Sequence, residues 1–497
     1  MADSRHAADE VWLGLDLGTQ SARVIAVGGD GELIAAQSRP LTSHRDGPRH
    51  EQDPRQWWEA LAEAGRAAME SVPPGAVRGA ALCATSGTIL LVDDDGNPLT
   101  RGLMYDDARA TRETAEVNEA GARTWQALGY SRMQPSWALP KLLWLLRSSD
   151  AGAGARLAHQ PDVVTRRLTG TDVPSDSSHA LKTGYDVVDE HWPEEVLAAL
   201  GIGEEVMPPV ARAGSRLGSV CAAAAAETGI PAGTPLFAGM TDGCAAQLGA
   251  GALTPGSWNS VLGTTLVVKG VTAQLVRDPA GVVYSHRSPD GGWLPGGASS
   301  SGAGVLSEHF PGRDLEALNR QAAGREPASV IAYPLVSRGE RFPFTAPEAE
   351  PFLLGRPADE VDFYAALLQG VAFVERLVFD YLDLLGAATG GDLTLTGGGA
   401  RSAYWSQLRA DVLGRPVRVP AHAEAGLGMA VLACARATER PLAEAATRMV
   451  RVQREIEPRP ERAERFREPY ARFVDELQNR GWLDATVADH TRRRAAQ

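Results

Sequence analysis

Residues Gly14 to Val27, GLDLGTQSARVIAV, constrain this chain more than any other stretch. Apolar residues flank Asp16, a Gly-Thr-Gln turn follows, and a second apolar run starts at Ala22, so the block predicts strand, tight turn, strand. A lone carboxylate then stands where a strand emerges into a turn rich in backbone donors. Gly18 lets N–H groups approach an anion, Thr19 adds a hydroxyl, and Asp16 can hold a divalent cation directly or through water. An acid satisfied by backbone donors in a plain hairpin would read the same way, so this block alone does not decide the chemistry.

At 497 residues the chain exceeds one ordinary core, and at least two domains are expected. Hydrophobic content of 44% and charged content of 22% are globular values, and 53 glycines with 32 prolines place many loops within an α/β chain rather than low complexity. A net charge of −13 argues against a dedicated nucleic-acid binder, and the main basic run, Thr491–Arg494, reads as a solvated tail. Cys83, Cys221, Cys244 and Cys434 stand far apart with no CxxC pair, so no zinc site or disulfide framework is signalled and a reducing cytoplasm is expected. The opening MADSRHAADE has no apolar h-region, and no run nears the roughly 18 apolar residues of a membrane span.

Along the chain, Gly28–Gly31 (GGDG) makes the next hairpin turn, and Asp53–Ser71 predicts a helix with an acidic cap and a proline in its first turn. GAALCATSG reads as a buried strand ending at Ser86, followed by a strand running into the turn Asp93–Asn97. That turn is no calcium loop, because Pro98 and Met104 stand where an EF-hand needs glycine and glutamate. Residues 110–235 alternate helices such as ALPKLLWLLRSS with polar loops and read as an elaboration of the first domain. Ser257–Val271 then repeats the opening pattern, with Gly263-Thr264-Thr265 between two strands. The echo suggests a second domain with the same architecture and two phosphate-facing turns meeting across a cleft. A long helix, DEVDFYAALLQGVAFVERLVFDYLDLLGAA, leads to a strand at Asp392–Ala400, a helix over Ser402–Gly414 capped by Ser402, and the strand RPVRVP. RPERAERFREPYARFVDELQNRGW reads as a peripheral helix that frays at its end. The expected division is residues 1–250, 251–445 and a helical extension over 446–497.

Three glycine-rich turns, at Gly18-Thr19, Gly263-Thr264-Thr265 and Gly397-Gly398-Gly399, each follow a predicted strand, where a nucleotide phosphate chain can lie against backbone donors. No G-x-x-x-x-G-K-[ST] sequence occurs, which excludes a P-loop enzyme, and GLGMA at Gly426–Ala430 opens inside a helical run, where close helix packing explains its glycines. In AGMTDGCAAQLGAG, Ala238–Gly251, a short strand gives way to a small-residue helix at Asp242. That acid is either a helix cap or a general base.

GLDLGTQSARV, HEQDPRQWW, MYDDARA, the TDG acid, the GTT turn and LTGGGARS occur in the order found in FGGY carbohydrate kinases, and over roughly residues 12–440 the chain resembles that family. The finer blocks ATSGTILLVD, ALKTGYD, VVYSHR, GGASSSGAG and YPLVSRGERFPF resemble its D-ribulose kinase branch more than the xylulokinases, which usually carry a Met-His pair where Thr85 and Ser86 stand. The resemblance implies an α/β fold of two actin-like, ribonuclease-H-like domains with nucleotide and sugar between them. It implies ATP-dependent phosphorylation of the terminal hydroxyl of a ketopentose, D-ribulose to D-ribulose 5-phosphate, with D-xylulose or a polyol as the alternative.

Carried over residue by residue, the resemblance makes Asp242 the base and sets Asp16, Gln20, Ser21 and Ser86 with it around the sugar. Gly18, Thr19, Gly263, Thr264, Gly398, Gly399, Ala400, Arg401 and Ser402 would surround ATP, with Mg2+ near Asp16 through water. His179 stands where that branch tends to have Asn; it is read as a surface histidine beside a loop, the other reading being a sugar contact that would alter substrate choice. Trp137, Lys141, Lys182, Tyr185 and His286 are either pocket or structural residues. The implied partners are sugar and ATP, without nucleic acid or membrane, and a homodimer is left open. A reading from another class is an actin-like ATPase or a silent sugar sensor, against which the retention of Asp16, Asp242 and all three turns speaks.

Overall fold

The computed structural model describes residues 10–152 and 154–495; the opening segment, residues 1–9, on which the reading of a polar N-terminus largely rests, lies outside them. The chain divides into two compact units. The first comprises the chain up to Gly251 with His286–Gly292 and His422–Arg451; the second comprises Ala252–Ser285, Trp293–Ala421 and the chain from Val452.

In the first unit a six-stranded sheet runs in the order Arg216–Ser219, Pro235–Phe237, Val77–Ala84, Val11–Leu17, Ser21–Gly28, Leu33–Pro40. Val11–Leu17 is buried at all seven positions, as befits a central strand covered on both faces. It pairs antiparallel with Ser21–Gly28 and parallel with Val77–Ala84, which in turn lies parallel to Pro235–Phe237, and the sheet closes on an antiparallel edge strand. Six strands of the second unit repeat this plan: Val452–Ile456, Val417–Pro420, Leu393–Thr396, Trp258–Leu262, Leu266–Gly270, Trp293–Ala298. Each pairing has the same sense as its counterpart. The repetition expected from the turns at Gly18 and Gly263 is thus a repetition of a whole sheet, and the fold is the α/β class read from the sequence.

Helix Arg55–Met69 lays Trp57, Trp58, Leu61 and Ala64 on the first sheet. Its N-cap is Pro54, without a side-chain cap bond. The expected acidic cap, Asp53, instead accepts the Arg55 N–H at 3.0 Å and pairs with that guanidinium. Helix Ala425–Ala437 packs on the same sheet nearly backbone to backbone. A Cβ on Gly14 would lie 1.7 Å from Gly426 O, and one on Gly428 would lie 1.8 Å from Ala245 O. The glycines of GLGMA therefore serve packing, as expected.

Two sequence readings need correction near the C-terminus. The peripheral helix is a short helix, Pro460–Arg465, followed by Arg467–Asn479, whose Tyr470, Phe473, Val474 and Leu477 are fully buried in the core built on helix Glu360–Leu384. Apolar residues spaced three and four apart gave that helix a buried stripe despite its charged composition. The basic run is not a loose tail: Thr491–Arg494 lies in helix Ala485–Ala495, with Arg492 on Asp475 and Asp489, both at 2.8 Å, and Arg494 on Asp380 at 3.3 Å.

Gly14→Ala is expected to push the helix off the sheet, because the obstructing atoms are backbone and cannot rotate away. Overpacking of this kind costs about 1–3 kcal/mol and occasionally more. Urea unfolding of the full chain should show the variant's first transition displaced to lower denaturant; an unchanged transition would refute this packing.

Candidate functional site

The chemistry of the first unit gathers at the carboxyl ends of its parallel strands, the usual ligand edge of such sheets. Asp16 is the penultimate residue of Val11–Leu17 and pairs in register with Cys83, whose thiol donates to Asp16 Oδ1 at 3.5 Å and to Leu15 O at 3.4 Å. Only 9% of Asp16 is exposed. Burial pushes its pKa from an ordinary 3.8 up to about 6, and the charge of Asp242 adds to the rise while Arg23 opposes it. Asp16 and Asp242 therefore share one electrostatic site. Burial also pushes the Cys83 thiol up, with both carboxylates contributing, so it stays an un-ionised donor.

Asp242 is the first residue of helix Asp242–Gly249, and Thr241 is the N-cap. Its Oδ1 accepts the Gly243 N–H at 2.7 Å, the neighbouring amide rather than one a full turn on. The chain reaches this point along the sheet, since Thr241 bridges in parallel to Ala84. Ser178 Oγ accepts the Thr241 N–H at 3.1 Å and lies 3.3 Å from Thr241 Oγ1 and 3.1 Å from His286 Nδ1.

His179 corrects the sequence reading. It is fully buried, with Nδ1 2.7 Å from Asp176 Oδ2 and Nε2 3.2 Å from Ala84 O. The Asp176 carboxylate three residues earlier compensates its burial and raises its pKa above the ordinary value, although desolvation, the largest influence, works the other way. This ring braces the strand end that leads to Ser86.

Ser86 follows the strand Val77–Ala84, which ends two residues earlier than expected. Its Oγ is buried and has no hydrogen-bond partner among the described residues. Two lysines hold the backbone around it. Lys141, fully buried, donates to Gly87 O and Met104 O at 2.7 Å each, and Lys182 Nζ reaches Ser86 O at 3.4 Å. Burial brings Lys141 down to a pKa of about 7. Trp137 and Tyr185 are buried as well, Trp137 beside Lys182 and Tyr185 edge-on to Trp192.

The Gly18–Ser21 turn is closed by the Gly18 N–H donating to Ser21 O at 3.0 Å. Gln52, with no exposed surface, donates to Thr19 O at 2.7 Å and accepts from Trp57 Nε1 at 2.7 Å, which ties the turn to helix Arg55–Met69. Gln20 is exposed, and Ser21 Oγ accepts from Arg23 Nε at 3.2 Å.

In the second unit, Gly263 and Thr264 lie between Trp258–Leu262 and Leu266–Gly270. Their carbonyls accept N–H bonds from Ala303 and Gly304 at 2.9 and 3.0 Å, and a Cβ on Gly302 would lie 2.5 Å from Thr264 O. The other glycine turn adjoins this one. Gly397 has φ +80°, and a Cβ there would lie 2.6 Å from Leu262 O, whereas a Cβ on the exposed Gly398 would meet nothing within 4 Å. Gly399 and Ala400 are buried and Arg401 is exposed. Ser402 caps helix Ala403–Leu413 by accepting the Trp405 N–H at 3.1 Å, as expected, and also accepts from Asn319 Nδ2 at 3.2 Å.

Thus Asp16 with Asp242, and the Gly263 turn with the Gly397–Ser402 turn, are each brought together within one unit. Sequence reading missed Cys83 and Gln52 as site residues. Cys83 was weighed only for metal or disulfide spacing, and its partner is fixed by strand register; Gln52 sat inside the HEQDPRQWW segment without an assigned task.

Comparison with known proteins gives a consistent picture. The N-terminal domain of the FGGY family of carbohydrate kinases matches residues 11–249 and the C-terminal domain of that family matches residues 258–437. A xylulose kinase of Streptomyces rubiginosus is 30% identical over 422 residues, 83% of this chain and 85% of that protein. An autoinducer-2 kinase of Klebsiella pneumoniae subsp. pneumoniae is 28% identical over 494 residues, 93% of this chain and 92% of that protein. The crystal structure of a "xyloylose kinase" from Brucella ovis superposes with a TM-score of 0.86 at 28% identity, covering 95% of this chain and 99% of that one.

Asp16 binds a proton more tightly in the folded than in the unfolded chain, so stability falls as pH rises between about 4 and 6. A rise of about two pKa units corresponds to about 3 kcal/mol. Asp16→Asn should therefore remove this slope and raise the melting temperature at pH 7 and above. Parallel melting curves of variant and wild type from pH 4 to 8 would contradict the shared-carboxylate site.

Proposed function

Because the chain belongs to the FGGY family of carbohydrate kinases and is a sugar kinase, we propose that it transfers the terminal phosphoryl group of ATP to the terminal hydroxyl of a ketopentose, with D-ribulose ahead of D-xylulose. The observation that carries this reading is the pair Asp16 and Asp242, which flank the end of Val77–Ala84 from its two sides: Asp16 pairs in register with Cys83, and Thr241, just before Asp242, bridges to Ala84. Asp242 is the general base, orienting the acceptor hydroxyl and taking its proton. Asp16, together with Gln20 and Ser21, holds the sugar side.

Mg2+ fits beside Asp16: a carboxylate is the hard oxygen ligand it prefers, held through water, and Asp16 is a buried acid that gains from a nearby cation. When bound, it neutralises charge on the transferring phosphoryl group. Within the second unit, Gly263, Thr264 and Gly398–Ser402 are proposed to hold ATP; within the first, the Gly18–Thr19 turn is proposed to face a phosphate through Thr19, since the Gly18 N–H closes its own turn. The open space beside Gly398 supports that assignment.

Ser86 is proposed to donate to a sugar hydroxyl. A buried hydroxyl without a protein partner costs about 1–3 kcal/mol, which a bound sugar would recover. D-ribulose is favoured by Thr85-Ser86 and the blocks around them. The second reading, D-xylulose, is favoured by the xylulose kinases among the similar proteins.

Assays with ATP, Mg2+ and a panel of ketopentoses, polyols and glycerol decide the acceptor: D-ribulose is expected to give the highest kcat/KM, and equal or faster turnover of D-xylulose would shift the assignment. Nucleotide hydrolysis without sugar should be slow, since a poised base must be denied water. Asp242→Asn should lower kcat by about 10²–10⁴-fold with little change in either KM, and Ser86→Ala should raise KM for the sugar while leaving KM for ATP alone. Full activity of Asp242→Asn would reject the base.

A further inference from the structure

The strand Leu393–Thr396 has chemistry at both ends. Its exit carries the Gly397–Ser402 turn, while its entry, Thr389–Leu393, lines a cavity of about 650 Å3 within the second unit. Helix Ala403–Leu413 joins the two ends. It starts at Ser402 and delivers Leu413 to the cavity about 16 Å away.

Four arginines line this cavity. Arg418 pairs with Asp392 and Glu455, and Arg494 with Asp380 and Asp383. Arg376 and Arg415 are different: neither has a carboxylate within salt-bridge distance among the described residues. Arg376 Nη1 donates to Val412 O at 3.2 Å and its guanidinium covers the Tyr470 ring at 4.4 Å. Arg415 donates to Thr389 O at 2.5 Å and to Gly391 O. Burial, followed by the charge of Arg494, holds Arg415 below its ordinary pKa, against the opposing charges of Asp392 and Glu375. Of the lining acids, Asp380 is already engaged by Tyr470 OH at 2.6 Å and by Arg494, while Asp392 and Glu455 are engaged by Arg418. Only Glu457, exposed at the rim, lacks an ion pair among the described lining residues.

Two guanidinium groups without a salt bridge among the described residues line one cavity beside a third cation, retain N–H donors, and gain from an anion. The volume falls within the range of small-molecule sites. We propose that this cavity is a second ligand site, taking a small phosphorylated metabolite by its phosphate on Arg376 and Arg415. Planar guanidinium forks suit phosphate oxygens in a way that a lysine would not.

The test is calorimetric titration of the full-length protein with inorganic pyrophosphate in Mg2+-free buffer, with sulfate at equal ionic strength as the charge control. Two variants assign the site. Arg376→Gln removes one fork, and Gly390→Glu places a carboxylate in the cavity at a position where a Cβ meets nothing within 4 Å, so no contact is lost. Saturable binding weakened at least tenfold by either variant supports the site. Absence of binding to the wild type, a Gly390→Glu isotherm equal to that of the wild type, or equal displacement by sulfate overturns it.

Discussion

A carboxylic acid buried beside a second one is held against its own desolvation, and the first unit is arranged to do that holding. Asp16 would be cheaper as an apolar residue in a strand otherwise buried end to end. Its place is fixed by pairing on both sides, with Arg23 across one ladder and Cys83 across the other. Cys83 offers a weak donor that stays protonated, so it orients the carboxylate without stabilising the charge strongly. The burial that costs stability at neutral pH would also favour a cation beside this carboxylate.

Holding a strand end so firmly requires a rigid support beneath it. Helix Ala425–Ala437 supplies this by approaching the sheet at Gly14 and the helix Asp242–Gly249 at Ala245, distances at which only glycine fits. The strand that carries Asp16 and the helix that carries Asp242 thus rest against one common element. The buried pairs around them, Asp176 with His179 and Ser178 with Thr241 and His286, fix the connecting backbone by hydrogen bonds rather than by packing. Polar residues buried with full partners give a single geometry, at the cost that each must be satisfied.

What could be read from sequence follows the range of the interaction. The hairpin at Gly18, its counterpart at Gly263, the Ser402 cap and the glycines of GLGMA are local signals, and each appears where expected. His179 could have been read more closely, since an acid three residues before a histidine allows it to be buried with a partner. The stripe Tyr470, Phe473, Val474, Leu477 carried the helical period, but the charged residues around it dominated the reading. Cys83 was out of reach: that it faces Asp16 depends on which strands neighbour one another and in what register, and 67 residues separate the two.

The two sheets share strand order and direction, yet they differ in charge at matching positions. Two residues before Gly18 stands Asp16; two residues before Gly263 stands Val261. Removing that one carboxylate leaves a turn whose polar groups are backbone amides and the hydroxyls of Thr264 and Thr265, an environment suited to an anion. Keeping it gives a turn that accepts an anion with a cation beside the carboxylate. A repeated architecture can therefore carry different charge at the ends of matching strands without any change of fold, because the difference is made by one side chain.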